Sequence, residues 1–391
     1  MPQVITTPIT TFAEDIDTLE RGRITADALQ SAITNDKANA QLVEAASGDI
    51  VFTSSLNIVN GGGGKLVGQG TSDAAMIQTY SNTLPRQTTV LRYNGTKTDP
   101  FIYYDRADYK ICDMNILGKT PAELLAQNGT NTAIGLKMVR ASGSYSGIGS
   151  GKLRMYDVLM AGFDIALEIG QGVEDLNCDE SSFYNFASYY NTEMMRVNTK
   201  QGMGYNFYNL RVGVTDTVFH YRAGGDLHVW GSFVGHPCSY LKFSNPPTGF
   251  GHNIAMYHIN GIKVDNQARN TKIVDMAAGS YYANILIEGA HFSTTGPVWT
   301  NEAFLLADHT HLTVTKARNL MDGMFKWNCS STATTVTLED CEVWTSVTDV
   351  MDLFDLTNSH GTIRVVVEPL KQYNTYNRLA GFNDIVLTGL A

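Results

Sequence analysis

Four carboxylates recur at spacings that would bring them together if the chain coils regularly: Asp157, Asp164, Glu180 and Asp216. Hydrolysis of a glycosidic bond needs two carboxyl groups, about 5–5.5 Å apart for retention or about 6.5–9.5 Å apart for inversion. Neighbouring strands of a stacked β-structure place equivalent residues about 4.8 Å apart. The four side chains are therefore candidate catalytic residues, with Glu180 and Asp216 the preferred acid/base pair and Asp157 and Asp164 in reserve.

The four carboxylates form two groupings. Asp157 and Glu180 take the same position on adjacent predicted coils, with Asp113 below them, and Asp164 and Asp216 are equivalent residues two coils apart. Like charges that close raise one of the two pKa values, which separates an acid from a base. Acidic residues at strand ends are also ordinary turn formers, so a purely structural role stays open for both groupings.

A repeat of about 26 residues, readable from residue 109 onward, is the feature that must position these side chains. Each copy starts with two apolar residues two apart, followed two residues later by a position that we call the anchor. Successive anchors from Asp157 to Val367 are 22 to 31 residues apart. The predicted anchors are Asp113, Asp157, Glu180, Asn209, Gly231, His258, Gly289, Lys316, Asp340 and Val367.

This repeat predicts an all-β fold, a right-handed parallel β-helix of about ten or more coils. Alternation of apolar and outward residues indicates strands with one buried face. The same register recurs in copy after copy, as in a solenoid whose units each cover the edge of the next. A β-sandwich or jelly roll is the alternative, but it would show hairpin turns every 8–12 residues rather than one recurring register.

Five outward-facing aromatic residues are candidates for stacking on sugar rings. They are Tyr184, Tyr189, Tyr190, Trp230 and Trp299. Trp230 directly precedes an anchor, and since Val229 points inward, the indole should point outward. Packing against a neighbouring subunit is an equally good explanation for such residues.

Composition narrows the function classes. The net charge of −10 argues against nucleic acid and against an anionic membrane surface as partners. No apolar run approaches the length of a membrane span, and the N-terminus carries no secretory signal pattern. The five cysteines show no CxxC spacing, so we expect reduced core cysteines. We expect no metal or cofactor, although the acidic residues at 174–175 and 179–180 could hold Ca²⁺ instead of forming a solvated face.

The chain divides into three predicted segments. Residues 1–35 are extended and then helical, with Thr25 a candidate N-cap. Residues 36–370 form the β-helix. Residues 371–391 would cap the last coil, because an uncapped coil exposes an unpaired strand edge.

Three stretches resemble the start of pectate-lyase-like β-helices, a superfamily common among bacteriophage tailspike proteins. They are ITADALQSAI (24–33), DIVFTSSLNIV (49–59) and GGGKLVGQGT (62–71). The chain departs from that pattern at Thr53-Ser54-Ser55, where a Pro-Gly turn is usual. The resemblance implies a homotrimer in the tail of a virion, made in the host cytoplasm and attached to other tail proteins through residues 1–35.

The resemblance and the candidate residues together predict a phage tailspike or receptor-binding protein that engages host surface polysaccharide. Whether it also cleaves that polysaccharide stays open. The alternatives are a non-catalytic structural or decoration protein of a virion and a free polysaccharide lyase. The missing secretory signal argues against the lyase, because its substrate would lie outside the cell.

Overall fold

A computed structural model describes the following residues: 25–35, 42–45, 48–71, 88–96, 98–125, 132–139, 151–171, 178–199, 202–244, 256–265, 268, 270–293, 302–321, 323–328, 334–343, 353–355, 361–367, 371–372 and 385–390. The chain folds as a right-handed parallel β-helix preceded by one α-helix, which confirms the fold class predicted from the repeat. It divides into two compact units, residues 1–195 and 196–391.

The first unit contains two helices and twelve strands among its described residues, and β13 runs across the boundary. The helices are α1 (Ala26–Asn35) and α2 (Pro121–Leu125). The strands are β1 (Leu42–Glu44), β2 (Gly48–Phe52), β3 (Leu56–Gly62), β4 (Lys65–Val67), β5 (Thr89–Tyr93), β6 (Ile102–Ala107), β7 (Lys110–Leu117), β8 (Thr132–Met138), β9 (Arg154–Ala161), β10 (Phe163–Ile169), β11 (Ser182–Tyr184), β12 (Ala187–Tyr189) and β13 (Glu193–Val197).

The second unit is built from strands alone in the part of the chain that the structure describes. The strands are β14 (Tyr205–Gly213), β15 (Thr217–Tyr221), β16 (Leu227–Val234), β17 (Ser239–Phe243), β18 (Met256–Val264), β19 (Lys272–Met276), β20 (Asn284–Glu288), β21 (His291–Phe292), β22 (Phe304–Leu306), β23 (His311–Thr315), β24 (Phe325–Trp327), β25 (Thr334–Glu339), β26 (Glu342–Val343), β27 (Phe354–Asp355), β28 (Gly361–Val367), β29 (Lys371–Gln372) and β30 (Ile385–Leu390).

Strand pairing follows the coil-by-coil pattern of a β-helix in each unit. In the first unit one ladder runs β1–β4–β7–β9–β11 and another runs β3–β6–β8–β10, all parallel. In the second unit the ladders run β14–β16–β18–β20–β23–β25–β28 and β15–β17–β19–β22–β24–β27, again all parallel. One pair is antiparallel: β30 lies along β28, so the C-terminal segment adds a strand beside the last coil of this ladder.

The interior of each coil is filled by the inward member of the strand alternation. In the second unit one such row is no more than 1% exposed along its whole length: Phe207, Val229, Ile259, Ile287, Val314 and Leu338. Each of these side chains packs on the equivalent residue of the next coil, which is how a solenoid buries its apolar surface. The described cysteines, Cys112, Cys178, Cys238 and Cys341, form no disulfide and are buried, as the sequence predicts for core cysteines.

Helix α1 docks on the first unit. Thr25 caps it, since its Oγ1 accepts a hydrogen bond from the backbone N–H of Ala28 at 3.2 Å. Leu29 and Ile33 are buried. The amide of Gln30 exchanges two hydrogen bonds with the backbone of Asn57 in β3, at 2.7 and 3.1 Å. The helix therefore contacts backbone groups of β3 as a neighbouring strand would.

The register corrects three of the predicted anchors. Met155 pairs with Phe183, so the residue equivalent to Asp157 is Asn185 and not Glu180. Gly231 is equivalent to Gly261 and not to His258, because Val229 pairs with Ile259. Leu338 pairs with Val367, so Val367 is equivalent in register to Leu338 and not to the anchor Asp340.

Candidate functional site

A bend in the long strands defines the outward face on which the candidate sites lie. In the described coils after β4, the residue at the bend has a positive φ. These bend residues are Asp113, Asp157 and Asn185 in the first unit, and Asn209, Gly231, Gly261, Gly289, Lys316 and Asp340 in the second. Glycine, asparagine and aspartate adopt this left-handed conformation most easily, which explains why they dominate the position. From Tyr156 onward the residue directly before the bend points outward, and we call these residues the pre-bend column. In the preceding coil that residue is Cys112, which is buried.

In the second unit the pre-bend column starts with a stacked aromatic pair. The rings of Tyr208 and Trp230 lie 4.7 Å apart, 6° from parallel, on the paired strands β14 and β16. The imidazole of His228 also stacks on Trp230, at 5.5 Å and 13°. His258 meets both rings edge-on, 6.1 Å from His228 and 6.4 Å from Trp230. We call these four residues the aromatic–histidine cluster; all four are half-buried, so part of each ring faces solvent.

Polar groups continue the column beside this cluster. Asn260, which pairs with Trp230, donates from Nδ2 to Glu288 Oε2 at 3.3 Å. Lys316 donates from Nζ to the other oxygen of Glu288 at 2.7 Å. That hydrogen bond and the charge of Lys316 hold the pKa of Glu288 below its usual value. The same hydrogen bond and the charge of Glu288 raise the pKa of Lys316.

His258 connects the two halves of the site. Its Nε2 lies 3.9 Å from Glu288 Oε2, and among the described residues it has no hydrogen-bond partner although it is shielded from solvent. This nitrogen is placed to pair with the Glu288 carboxylate when the imidazole is protonated. Stacked ring faces, an ionised carboxylate, an amide and an imidazole thus converge on one outward ladder.

The first unit carries a second stacked pair. Tyr156 and Tyr184 occupy the pre-bend column on β9 and β11, with ring centroids 4.8 Å apart and planes 5° from parallel. Next to them, Asn185 donates from Nδ2 to Asp157 Oδ1 at 2.8 Å. Asp113 is the bend residue of the coil before Asp157.

Asp113 and Asp157 form the carboxylate pair of this second site. The pKa of Asp113 is raised, first by its partial burial and then by the charge of Asp157, while Lys65 opposes the shift. Equivalent residues of adjacent parallel strands lie about 4.8 Å apart. That separation is close to the spacing of about 5–5.5 Å between the carboxyl groups of a retaining glycosidase. One carboxyl inclined to hold its proton beside one that accepts a hydrogen bond is the arrangement that such chemistry uses.

Of the four predicted catalytic carboxylates, Asp157 belongs to the second site and the other three do not. Glu180 is not a bend residue of the long strands. It precedes β11 and pairs with Lys152 at 3.3 Å, both side chains being more than half exposed. Asp164 is an exposed residue of β10 in the first unit, and Asp216 is exposed before β15 in the second.

The five predicted sugar-binding aromatics differ in their surroundings and exposure. Tyr184 and Trp230 each belong to a stacked outward pair. Tyr189 is half-buried at the end of β12, and Tyr190 is 8% exposed, which leaves little ring surface for a ligand. Trp299 lies outside the described residues.

Sequence reasoning missed the partners of both stacks, Tyr156 and Tyr208, as well as Asn260 and Glu288. The signal that finds them is the pre-bend position, which was applied to Trp230 alone. Asn260 was missed because the anchor of its coil was predicted at His258 and not at Gly261. Glu288 directly precedes the correctly predicted anchor Gly289, so the same rule finds it in the sequence.

The described residues form neither a metal-binding cluster nor a membrane-spanning helix. No group of three or more His, Cys, Asp or Glu side chains within them is arranged to hold a metal ion. No helix within them is long and apolar enough to span a membrane.

Comparisons with known proteins place this chain in no family. No family model matches the chain, and no curated protein matches it in sequence. Solved structures that resemble it include the A-module of a mannuronan C-5 epimerase from Azotobacter vinelandii (12% identity, 89% of this chain and 95% of that chain, TM-score 0.45). Another is the catalytic unit of a GH87 α-1,3-glucanase from Streptomyces thermodiastaticus (11% identity, 93% and 69% covered, TM-score 0.44). A third is ORF18 of Geobacillus virus E2 (13% identity, 94% and 65% covered, TM-score 0.31). At these identities and TM-scores the likenesses assign no activity to this chain.

Proposed function

We propose that this protein binds polysaccharide on the outward face of its β-helix, as the receptor-binding protein or tailspike of a phage. The observation that carries the proposal is the Tyr208–Trp230 stack, with its parallel rings 4.7 Å apart on adjacent strands. The apolar faces of sugar rings pack on aromatic rings, and rings held on a sheet are already oriented before the ligand arrives. A glycan lying on this pair finds hydrogen-bonding groups on either side.

The neighbouring polar residues suit sugar hydroxyls. Glu288 is held ionised by Lys316 and accepts hydrogen bonds, Asn260 both donates and accepts, and the half-buried imidazole of His258 lies beside Glu288. Sites of this composition, mainly aromatic with a few fixed polar groups, are typical of small-molecule and glycan recognition. The remaining parts of the proposal rest on the sequence resemblance: a homotrimer, located in the virion tail and attached to other tail proteins through residues 1–35.

The test is a fluorescence titration, because Trp230 is one of only four tryptophans in the chain. Bacterial surface polysaccharides are added one at a time to the purified protein. A bound glycan is expected to change the emission of wild type. Trp230→Phe keeps an aromatic face and should keep binding in a co-sedimentation assay while losing most of the emission change. If no polysaccharide changes the emission or co-sediments, the proposal is wrong.

Cleavage of the bound polysaccharide is a second candidate function, favoured by the Asp113–Asp157 pair. One carboxyl has a raised pKa beside another that is hydrogen-bonded by Asn185, and the Tyr156–Tyr184 stack adjoins them. In such a reaction Asp113 would donate a proton to the leaving oxygen and Asp157 would attack as the nucleophile.

This candidate is tested by depolymerisation of a polysaccharide that the protein binds. Asp113→Asn and Asp157→Asn should each abolish shortening of the glycan. Glu180 is not part of the pair and forms an ion pair with Lys152, so Glu180→Gln should leave the shortening unchanged. Asp164→Asn and Asp216→Asn serve as further controls. Equal activity in the wild type and both pair variants would exclude this site.

A further inference from the structure

A row of basic side chains lies on the far side of the bend from the aromatic–histidine cluster. The strand pairs align Arg211, Phe233, Lys263, His291 and Arg318, one residue per coil. All five are exposed. We call this row the basic ladder.

Strand alternation explains why the ladder faces outward. The residues that follow its first four members, Val212, Val234, Val264 and Phe292, are no more than 2% exposed and fill the interior of the coils. The ladder side chains must therefore point to the opposite side. Their positions are fixed by the register of the sheet and are not left to a loop.

Lysine or arginine occupies every second rung of the ladder, and like charges on one face repel one another, so the ladder works against folding unless something else offsets it. Successive rungs are about 4.8 Å apart. Burial lowers the pKa of His291, and the charges of Lys263 and Arg318 lower it further, against the opposing effect of Glu342. Glu342 also lies 3.9 Å from Arg318 Nε. The chain as a whole is acidic, with a net charge of −10, which makes this basic row conspicuous.

Phe233 adds a flat surface between two of the cations. It is 38% exposed and lies between Arg211 and Lys263 in the ladder. Lys263 Nζ is 6.0 Å from its ring centroid. A ring stacked on Phe233 would have a positive group on each side, an arrangement that suits a sugar bearing a carboxylate.

We propose that the basic ladder binds the carboxylates of an acidic polysaccharide whose chain runs along the direction in which the coils stack, with one sugar ring packed on Phe233. This inference rests on the proposed function and adds the class of glycan. Arg211, Lys263 and Arg318 occupy alternate rungs, about 10 Å apart. That spacing is close to the length of two sugars in an extended chain, so acidic groups on every second sugar meet these cations. At physiological ionic strength charges act over about 8 Å, so the ladder can attract a polyanion despite the acidic charge elsewhere.

The experiment compares two double variants that remove the same charge from different faces. Lys263→Gln/Arg318→Gln removes two ladder cations, and Arg222→Gln/Lys242→Gln removes two cations that lie off the ladder. The probes are hyaluronan and alginate, each also in a carboxyl-reduced form with the same backbone, together with neutral dextran, single-stranded DNA and the surface polysaccharides of the titration above. Affinity is measured by isothermal titration at two salt concentrations.

We expect the tightest ligand to be a carboxylate polymer whose binding weakens with salt. The ladder variant should weaken it about tenfold, or about 1.4 kcal/mol, and the control variant less than twofold. Phe233→Ala should weaken the acidic ligand as well. Loss of affinity on carboxyl reduction of the ligand completes the expected pattern.

The outcomes separate this inference from the proposed function. Binding of neutral polymers alone, dependent on Trp230, would overturn the ladder proposal and keep polysaccharide binding. An acidic ligand that both double variants bind equally well would also overturn it. Ladder-dependent binding of DNA in place of any polysaccharide would assign the surface to a different partner and refute the inference. If none of the polysaccharides binds, both proposals fall.

Discussion

Replacing Trp230 with alanine tests the site at its centre. Aromatic side chains bury about 150–250 Å² when fully covered, and half-buried Trp230 leaves roughly 80 Å² for a ligand. At about 25 cal/mol per Å², covering that surface contributes about 2 kcal/mol to binding. Trp230→Ala should therefore weaken binding of the cognate glycan about 30-fold.

The assay is isothermal titration of that glycan into wild type and variant at the same temperature and salt concentration. The matched control is Tyr282→Ala, which removes a 43% exposed ring stacked 4.1 Å from His309, outside the aromatic–histidine cluster. Circular dichroism and thermal unfolding establish that both variants keep the fold. Wild-type affinity within twofold in Trp230→Ala, or an equal loss in Tyr282→Ala, would refute the stacking mechanism.

Three further predictions concern the coils that carry the site. Phe207→Ala empties a fully buried position and should lower the free energy of unfolding by about 3–5 kcal/mol in a denaturant titration; a loss below about 1 kcal/mol would contradict the packed interior. Gly231 has a φ of 74°, and a Cβ there would meet its nearest neighbour at 3.9 Å, so backbone strain and not space limits substitution. Gly231→Val should lower the free energy of unfolding by about 1–2 kcal/mol, and Gly231→Asn clearly less, because the equivalent residue is already Asn209. Equal thermal midpoints for the two variants would contradict this. Burial and the charge of Asp157 raise the pKa of Asp113 in the folded state, so stability is lost as pH rises through that pKa. Asp113→Asn should therefore unfold at a higher temperature than wild type at pH 7 and show no such gain at pH 3. The same difference between variant and wild type at both pH values would contradict the raised pKa of Asp113.

The fold could be predicted because the inward residues are set by local alternation. Apolar pairs two residues apart repeat along the chain. The structure aligns Tyr205/Phe207 with Leu227/Val229 and Ile285/Ile287 with Leu312/Val314, as expected. The bend residues gave a second signal, since a position that tolerates a left-handed backbone favours glycine, asparagine and aspartate. Both signals depend on a residue and its near neighbours alone.

The exact register was harder to predict because it is decided between coils. Around residue 257 two alternating apolar sets compete, Ile254/Met256 and Tyr257/Ile259. The structure buries Tyr257 and Ile259 against Leu227 and Val229 and leaves Met256 51% exposed. Which set faces inward depends on the coil before and the coil after, and no local pattern contains that information.

The site depended on that register. Glu180 was predicted to adjoin Asp157 because Leu176 and Cys178 imitate an inward pair, but the pairing of Phe183 with Met155 puts Asn185 there instead. The carboxylate pair consequently involves Asp113, which the sequence placed only as a neighbour of the other two. Trp230 was correctly predicted to point outward because the copy around Val229 was read in the right register.

Size-exclusion chromatography with light scattering on mixtures of the protein and a panel of bacterial surface polysaccharides tests the central claim most directly. The account predicts a particle of three 42.8-kDa chains that co-elutes with at least one polysaccharide of the panel, and with fewer or none when Trp230 is replaced by alanine. Shortening of the bound polysaccharide in the same run would add the activity assigned to Asp113 and Asp157. A protein that elutes apart from every polysaccharide would contradict the claim, and a monomer would contradict its assignment to a phage tailspike.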